Sequence, residues 1–176
     1  MSIVALTWID VYELACSLRS RSGLFAKPGE CRVVALRGPR AEADPEDDAA
    51  FVRFKTSAKW PELTNTLGQL QRFGAERLKG PVEFGLIYLE MLMPGGIIPW
   101  EKAAGVYVER FSRVHVALRT NPAATTFSGG VAVNMQAGNV NLIDRRAPYS
   151  AINLGASYRA HLVCDFRKRD EESEDG

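Results

Sequence analysis

Two segments of the sequence each place an arginine and a histidine two positions apart among apolar residues. They are Arg113 with His115, in SRVHVAL, and Arg159 with His161, in YRAHLVCDF; the chain has no other histidine. Residues two apart share one face of a β-strand, so each pair would act on one side of a sheet. Because a guanidinium presents a planar fork of donors that matches a carboxylate, a small dicarboxylate ligand would satisfy these arginines if they lie inside the protein.

The alternation of residues does not say which face of these two strands is inside the protein. An arginine inside a narrow barrel would need a carboxylate partner, because an unpaired buried charge is unfavourable by several kcal/mol. On the solvent face, both Arg-x-His pairs would be ordinary surface residues. The sequence leaves these two placements open.

The segments before residue 81 alternate between helical and extended patterns. We predict a helix at about 7–20, a strand at 31–38, a solvated acidic loop at 39–50, an edge strand at 51–55 and a helix at 61–80. The second helix has the clearer limits, because Pro61 suits a first helical position and Gly80 suits the end of a helix.

From residue 82 onward, short β-rich segments follow one another, separated by Gly, Asn, Asp or Pro. We predict strands at 82–93, 105–120, 129–138, 139–144, 148–155 and 157–166, with a tight turn in QAGN at 136–139. Helices followed by many closely spaced strands indicate an α+β, mainly β chain whose core is an antiparallel sandwich or jelly roll.

The composition is that of one globular domain, which we expect to span residues 1–168, followed by a charged, acidic tail at 169–176. Apolar residues make up 46% and the net charge is +1, so neither nucleic acid nor a membrane surface is an expected partner. Asp10 and Glu13 interrupt the apolar N-terminus, so we expect neither a signal peptide nor a membrane span there. Three cysteines without metal-type spacing favour a reducing, cytoplasmic location.

The stretch from Met93 to Phe166 resembles the aspartyl/asparaginyl β-hydroxylase-like branch of the Fe(II)- and 2-oxoglutarate-dependent dioxygenases. The likeness is carried by an ordered series of motifs: MPGGIIPW, RFSRVHVALRTNP, NMQAGNVNLID, YSAINLG and YRAHLVCDF. It implies a double-stranded β-helix, a cupin-like jelly roll, with its motif-bearing core at 82–167 and helices on the N-terminal side. In the family, two histidines and a carboxylate bind Fe(II), which leaves open positions for 2-oxoglutarate and O₂.

On the co-substrate side, the family's residues have counterparts in this sequence. The resemblance implies that Arg159 grips the distal carboxylate of 2-oxoglutarate, that His115 assists, and that Arg113 completes the family's Arg-x-His motif. Binding of 2-oxoglutarate or a similar diacid is therefore an expectation that the resemblance supports.

On the metal side, the family's ligands are replaced. Trp100 stands at the first histidine, Lys102 at the carboxylate and Tyr149 at the second histidine. An indole offers only an N–H donor and an ammonium group would repel the ion, so no iron is expected. We expect all three side chains to line the interior of the jelly roll, where Trp100 and Tyr149 either plug the pocket or form its walls.

His115 and His161 could instead contribute to a different metal site, since the family fold brings their strands near each other. No Asp, Glu or Cys with ligand spacing joins them in the sequence, and Asp165 is expected to flank a strand end. We therefore expect the two histidines to form a polar pocket wall or ordinary packing.

Three functions are compatible with these residues. The first is a catalytically degenerate relative of the hydroxylases that acts as a binding or structural subunit, with a protein partner, with copies of itself, or within a larger particle. The second is a metal-free sensor of 2-oxoglutarate or another small diacid, which would use Arg159, Arg113 and His115. The third is an active 2-oxoglutarate-dependent hydroxylase with an unorthodox metal site. For a binding or structural subunit, the expected contact surfaces are the loop TNPAATTFSGG and the outer strand edges.

Overall fold

The computed structural model describes residues 3–19, 27–39, 51–53 and 60–169. In chain order the elements are β1 (Ile3–Trp8), α1 (Tyr12–Arg19), β2 (Cys31–Pro39), β3 (Phe51–Arg53), α2 (Pro61–Leu78), β4 (Val82–Leu92), β5 (Ile97–Glu101), α3 (Val106–Arg110), β6 (Ser112–Arg119), β7 (Ala124–Ser128), β8 (Val131–Val133), β9 (Asn139–Ile143), β10 (Tyr149–Asn153) and β11 (Arg159–Lys168). The two longer helices precede the strands that carry the predicted site.

The strands form two antiparallel sheets. The large sheet has seven strands in the order β1-β9-β6-β11-β4-β2-β3, and the small sheet has four in the order β5-β10-β7-β8. Most strands that are neighbours in space are not consecutive in the chain, as in a jelly roll. The predicted α+β, mainly β jelly-roll fold is confirmed.

The large sheet separates two cores. On one face, Leu162 of β11 belongs to the same apolar cluster as Leu63 of α2. On the other face the large sheet meets the small sheet, and Arg159 of β11 reaches Thr126 of β7 across the gap. Because side chains alternate between the two faces of a strand, β11 contributes to both cores and is buried along most of its length.

Helix α2 begins and ends close to where its sequence indicates. Pro61 occupies the first turn, where its missing N–H is not needed, and Lys79 follows the helix in the left-handed conformation with a φ of 53°. The buried face of the helix is formed by Leu63, Thr66, Leu67, Leu70 and Gly74. The structure therefore contains the helix predicted over 61–80, ending at Leu78.

The first helix is shorter than predicted at its N-terminal end. Residues 3–8 form β1, which pairs with β9 and sets Ile3 opposite Ile143, so α1 begins only at Tyr12. An apolar stretch of this kind fits either a helix or a strand locally. The pairing with a strand far along the chain decides between them, and a local pattern does not contain that partner.

Further along the chain, three predicted segments differ from the structure. Residues 105–120 divide into the short helix α3 and strand β6. The segment TNPAATTFSGG, predicted as a contact loop, contains β7, which pairs with β10. In the predicted strand 129–138 only Val131–Val133 pair, while the turn at 136–139 forms as predicted with Gly138 at a φ of 87°.

Parts of the sequence-based interpretation fall outside the described residues. These are the acidic loop from residue 40 to 50, the end of the predicted strand 51–55, and the tail from residue 170 onward. The limits of a single domain at 1–168 stay a prediction. Within the described ranges, no helix has both the length and the apolar character needed to cross a membrane.

Gly85 in β4 lies where a side chain would collide with Tyr107. An ideal Cβ at this position would be 2.2 Å from the Tyr107 hydroxyl oxygen and 2.8 Å from the Phe111 ring. That hydroxyl oxygen accepts a hydrogen bond from the Leu86 N–H at 2.8 Å, which holds it in place. Glycine therefore allows Tyr107 of α3 to pack directly on β4.

We predict that Gly85→Ala lowers the free energy of unfolding by about 1–3 kcal/mol, because the added methyl group forces Tyr107 away from its hydrogen bond. Gly68→Ala in α2 is the matched control, since the nearest atom to an added Cβ there is 4.0 Å away. It should raise the free energy of unfolding by about 0.5–1 kcal/mol through helix propensity. Urea unfolding followed by circular dichroism measures both, and equal effects would contradict the close approach at Gly85.

Candidate functional site

Arg159 lies between the two sheets, with 1% of its surface exposed. Its Nη1 donates to Oε1 of Glu90 at 2.7 Å, and its Nη2 donates to Oγ1 of Thr126 at 3.2 Å. The Arg-x-His pairs thus point into the protein, which decides the question that the sequence leaves open. The carboxylate that a buried arginine requires comes from the chain itself.

Glu90 comes from strand β4, inside the apolar segment LIYLEMLM. In the antiparallel pairing of β4 with β11, Glu90 lies opposite His161 and Leu92 lies opposite Arg159. Glu90 and Arg159 are therefore diagonal neighbours on one face of the sheet. Sequence reasoning did not select Glu90, although a lone acid in an apolar strand is a usable signal.

The two histidines continue the hydrogen-bonded chain from Arg159. Arg159 Nη2 lies 2.9 Å from Nδ1 of His161, which lies 3.4 Å from Nδ1 of His115. A guanidinium can only donate, so His161 Nδ1 accepts from Arg159 and the proton of His161 is on Nε2. Burial, together with the positive charge of Arg159, lowers the pKa of both histidines well below 6.5, so both rings are neutral.

Tyr149 of β10 closes this cluster from the small sheet. Its hydroxyl lies 3.4 Å from Oε1 of Glu90, and its ring is tilted against His115 with the ring centroids 5.6 Å apart. Burial raises the pKa of Tyr149 and the negative charge of Glu90 raises it further, so the side chain is a neutral phenol. Of the three residues that the resemblance assigns to the family's metal positions, Tyr149 is the one that lies inside.

Arg113 is held by a carboxylate of its own. Its Nε donates to Oδ1 of Asp165 at 2.7 Å, and its Nη2 donates to Oδ2 at 2.8 Å. Asp165 is fully buried and lies opposite Arg113 in the pairing of β6 with β11. The prediction that Asp165 flanks a strand end is wrong, because β11 continues to Lys168. A co-substrate would have to displace Asp165 to engage the whole guanidinium of Arg113.

Trp100 and Lys102, predicted to line the interior, lie on the outside of the protein. Trp100 is 62% exposed, and its ring centroid is 5.9 Å from that of Phe127. Lys102, which follows the end of β5, is exposed as well. The expected interior position is therefore wrong for these two residues, and neither fills the space of a metal site.

A bulge in β5 explains why Trp100 points outward. Tyr149 pairs with Glu101, and Ala151 pairs with Ile98. Strand β5 thus has one residue more than β10 between the two pairs, and this turns Glu101 rather than Trp100 toward Tyr149. Glu101 accordingly lines the cavity beside Tyr149.

A cavity of about 30 Å³ remains beside the cluster, with Tyr149, His115 and Arg113 among its walls. One water molecule needs roughly 10–15 Å³ of such space, whereas small-molecule sites begin at about 300 Å³. The cavity therefore has room for water and not for a dicarboxylate.

Glu90, His115 and His161 form a compact group of metal-binding side chains. One oxygen or nitrogen atom from each lies within 4.8 Å of the others, and all three residues are buried. In the part of the chain that the structure describes, this is the one group of three or more such side chains with this spacing. A metal site is geometrically possible here, and Glu90 supplies the acidic group that sequence reasoning did not find.

We predict that the free energy of unfolding falls as the pH is lowered through about 6.5. Both histidines titrate near 6.5 in the unfolded chain but have a depressed pKa in the folded chain, because burial and then the charge of Arg159 disfavour the protonated ring. The unfolded state therefore binds more protons in acid, and each histidine should cost about 1 kcal/mol or more by pH 5.5. Urea unfolding at pH 7.5, 6.5 and 5.5 measures the slope. An unfolding free energy that is unchanged over this range would contradict the neutral, buried imidazoles.

Comparisons with known proteins identify the family and the fold. Residues 52–169 match the family described as aspartyl/asparaginyl beta-hydroxylase. No curated protein sequence matches the chain.

Several solved structures resemble the chain over nearly its whole length. An oxidoreductase of the 2OG-Fe(II) oxygenase family from Burkholderia pseudomallei has a TM-score of 0.69 and 16% identity, over 96% of this chain and 85% of its own. AviO1 from Streptomyces viridochromogenes Tue57 has a TM-score of 0.63 and 14% identity, over 99% and 92%. A viral collagen prolyl hydroxylase from Paramecium Bursaria Chlorella virus-1, solved as a 2OG complex, has a TM-score of 0.58 and 7% identity, over 96% and 97%.

At these identities the structural likeness shows the fold alone. The family match is the stronger finding, because it covers more than half of the residues and includes both Arg-x-His strands. The chain belongs to the aspartyl/asparaginyl β-hydroxylase family.

Proposed function

We propose that this chain is a non-catalytic member of its family that serves as a binding or structural subunit, engaging a protein partner or further copies of itself. The observation that carries the proposal is the ion pair between Arg159 and Glu90, at 2.7 Å in the interior. This pair uses the guanidinium that the resemblance assigns to 2-oxoglutarate.

The co-substrate 2-oxoglutarate does not fit the residues present. Its distal carboxylate would have to displace Glu90 from Arg159, and a buried carboxylate that loses its cation is strongly unfavourable. The adjoining cavity of about 30 Å³ offers no room for the displaced side chain and the ligand together. These two facts also count against the metal-free diacid sensor.

Iron does not fit the family's own positions either. Trp100 is exposed, and Tyr149 is a neutral phenol rather than a phenolate. In the Glu90 and histidine cluster, a divalent ion would lie close to the permanent charge of Arg159, which is hydrogen-bonded to both Glu90 and His161. Repulsion between two cations at such short range in a low-dielectric interior is severe.

Exposed apolar side chains support a role in binding. Trp100 and Ile97 on β5 are 62% and 56% exposed, and Trp100 lies against Phe127 on β7. Large apolar side chains that lie together on an exposed sheet face are typical of contact surfaces between proteins. The proposal includes binding to a protein partner or to further copies of the chain, and a location in the cytoplasm.

A second candidate is an active hydroxylase with an unorthodox metal site. The observation in its favour is the spacing of Glu90, His115 and His161, whose ligand atoms lie within 4.8 Å of one another. In this candidate, the carboxylate of Glu90 binds the metal ion and no longer pairs with Arg159. Metal content and the response to 2-oxoglutarate distinguish this candidate from the non-catalytic subunit.

We predict that the purified chain binds no stoichiometric metal and that 2-oxoglutarate leaves its melting temperature unchanged. Elemental analysis and anaerobic titration with Fe(II) measure the first, and thermal unfolding with 2-oxoglutarate measures the second. Stoichiometric iron together with oxidation of 2-oxoglutarate would overturn the proposal in favour of the hydroxylase. A melting temperature raised by the diacid without metal would favour the sensor.

The same assay on Glu90→Ala tests the reason for this behaviour. Without the carboxylate of Glu90, Arg159 should bind formate in its place. Formate should therefore raise the melting temperature of this variant and not that of the wild type. Glu83→Ala is the matched control, because Glu83 lies on the same strand and pairs with Arg167 near the surface. Glu90→Ser, which also leaves the place of the carboxylate empty, replaces the alanine variant if the latter does not fold. Equal responses to formate in wild type and variants would count against an internally satisfied Arg159.

A further inference from the structure

Arg145 is a third guanidinium beside the interior, and it has no carboxylate to itself. It lies in the turn after β9, and its Nη1 is 3.4 Å from Oδ2 of Asp165. Asp165 already receives two shorter hydrogen bonds from Arg113, at 2.7 and 2.8 Å. Two positive charges therefore share one carboxylate.

The side chain of Arg145 is also incompletely hydrogen-bonded. It is 11% exposed, and its Nε is buried without a hydrogen-bond partner among the described residues. Burial lowers the pKa of Arg145 and the charge of Arg113 lowers it further, as expected for a cation that lacks its own counter-ion. A guanidinium in this condition favours an additional anion.

A second cavity adjoins Arg145, with a volume of about 310 Å³. Apart from Arg145 its walls are mostly apolar, and they include Phe51, Leu86, Tyr107 and Val108. Tyr107 stacks on Phe51 with the ring planes 2° apart, which gives the cavity a flat aromatic wall. Arg145 lies 5.2 Å from the centre of the Tyr107 ring, so charge and aromatic wall are adjacent.

The walls restrict the chemistry of a ligand. A cavity of about 300 Å³ with apolar walls and a few polar groups is typical of small-molecule sites. One carboxylate would be met by Arg145, whereas a second carboxylate would be buried against apolar carbon at a large cost. The hydroxyl of Tyr107 accepts from the Leu86 N–H and is also hydrogen-bonded to Asp165, so the guanidinium provides the main polar contact.

We propose that this cavity binds a small apolar monocarboxylate, an aromatic or branched aliphatic acid, whose carboxylate pairs with Arg145. The site does not use Arg159, Glu90 or either histidine. It therefore stands whether the chain is a non-catalytic subunit or a hydroxylase.

The test is calorimetric titration of the whole chain with benzoate and with isovalerate, with benzamide as the neutral analogue of benzoate. Benzoate should bind in a saturable, one-to-one manner, and benzamide should bind at least tenfold more weakly. Arg145→Gln should lower the affinity for benzoate ten- to a hundredfold, because it removes a charge-assisted contact. Arg146→Gln is the matched control, since the neighbouring Arg146 is 73% exposed and pairs with Asp144. It should leave the affinity unchanged.

A second variant protects the test against misfolding of Arg145→Gln. Ala104 is exposed and lines the cavity, so Ala104→Phe fills the space while Arg145 keeps its charge. It should abolish benzoate binding. The proposal is overturned if the wild type shows no saturable binding of benzoate or isovalerate, if benzamide binds as tightly as benzoate, or if Arg146→Gln weakens binding as much as Arg145→Gln.

Discussion

The buried ion pair between Arg159 and Glu90 is the constraint on which the interior of this protein depends. A guanidinium does not lose its charge in a protein, so burying Arg159 requires a carboxylate beside it, and Glu90 supplies one at 2.7 Å. The same guanidinium makes Nδ1 of His161 an acceptor, which places the proton of this ring on Nε2. The tautomer of His161 thus follows from one permanent charge.

Under the proposed function, this constraint separates the fold of the family from its chemistry. The two facing sheets and the inward arginine are those of an oxygenase-like jelly roll, but the acid that neutralises the arginine belongs to the chain. A site can keep its shape and lose its ligand when an internal side chain provides the group that the ligand would have provided. Arg145 is the contrasting case, because it shares Asp165 with Arg113 and adjoins a much larger apolar cavity.

Local patterns predicted the features that depend on neighbours in the chain. The start of α2 at Pro61 and the alternation along β11 are of this kind. The contact between Glu90 and Arg159 could not be predicted, because it depends on the register between β4 and β11. The outward position of Trp100 likewise depends on a bulge between β5 and β10. Motif resemblance located these positions along the chain, but it did not determine the direction of their side chains.

A double-mutant cycle tests the central ion pair most directly. The free energies of unfolding of Arg159→Met, Glu90→Gln and the double variant are compared with that of the wild type. Each single change leaves a buried polar or charged group without its partner, whereas the double variant removes both charges. The double variant should therefore lose about 2–3 kcal/mol less than the sum of the single losses. Losses that add to within about 0.5 kcal/mol would contradict a direct interaction between Arg159 and Glu90.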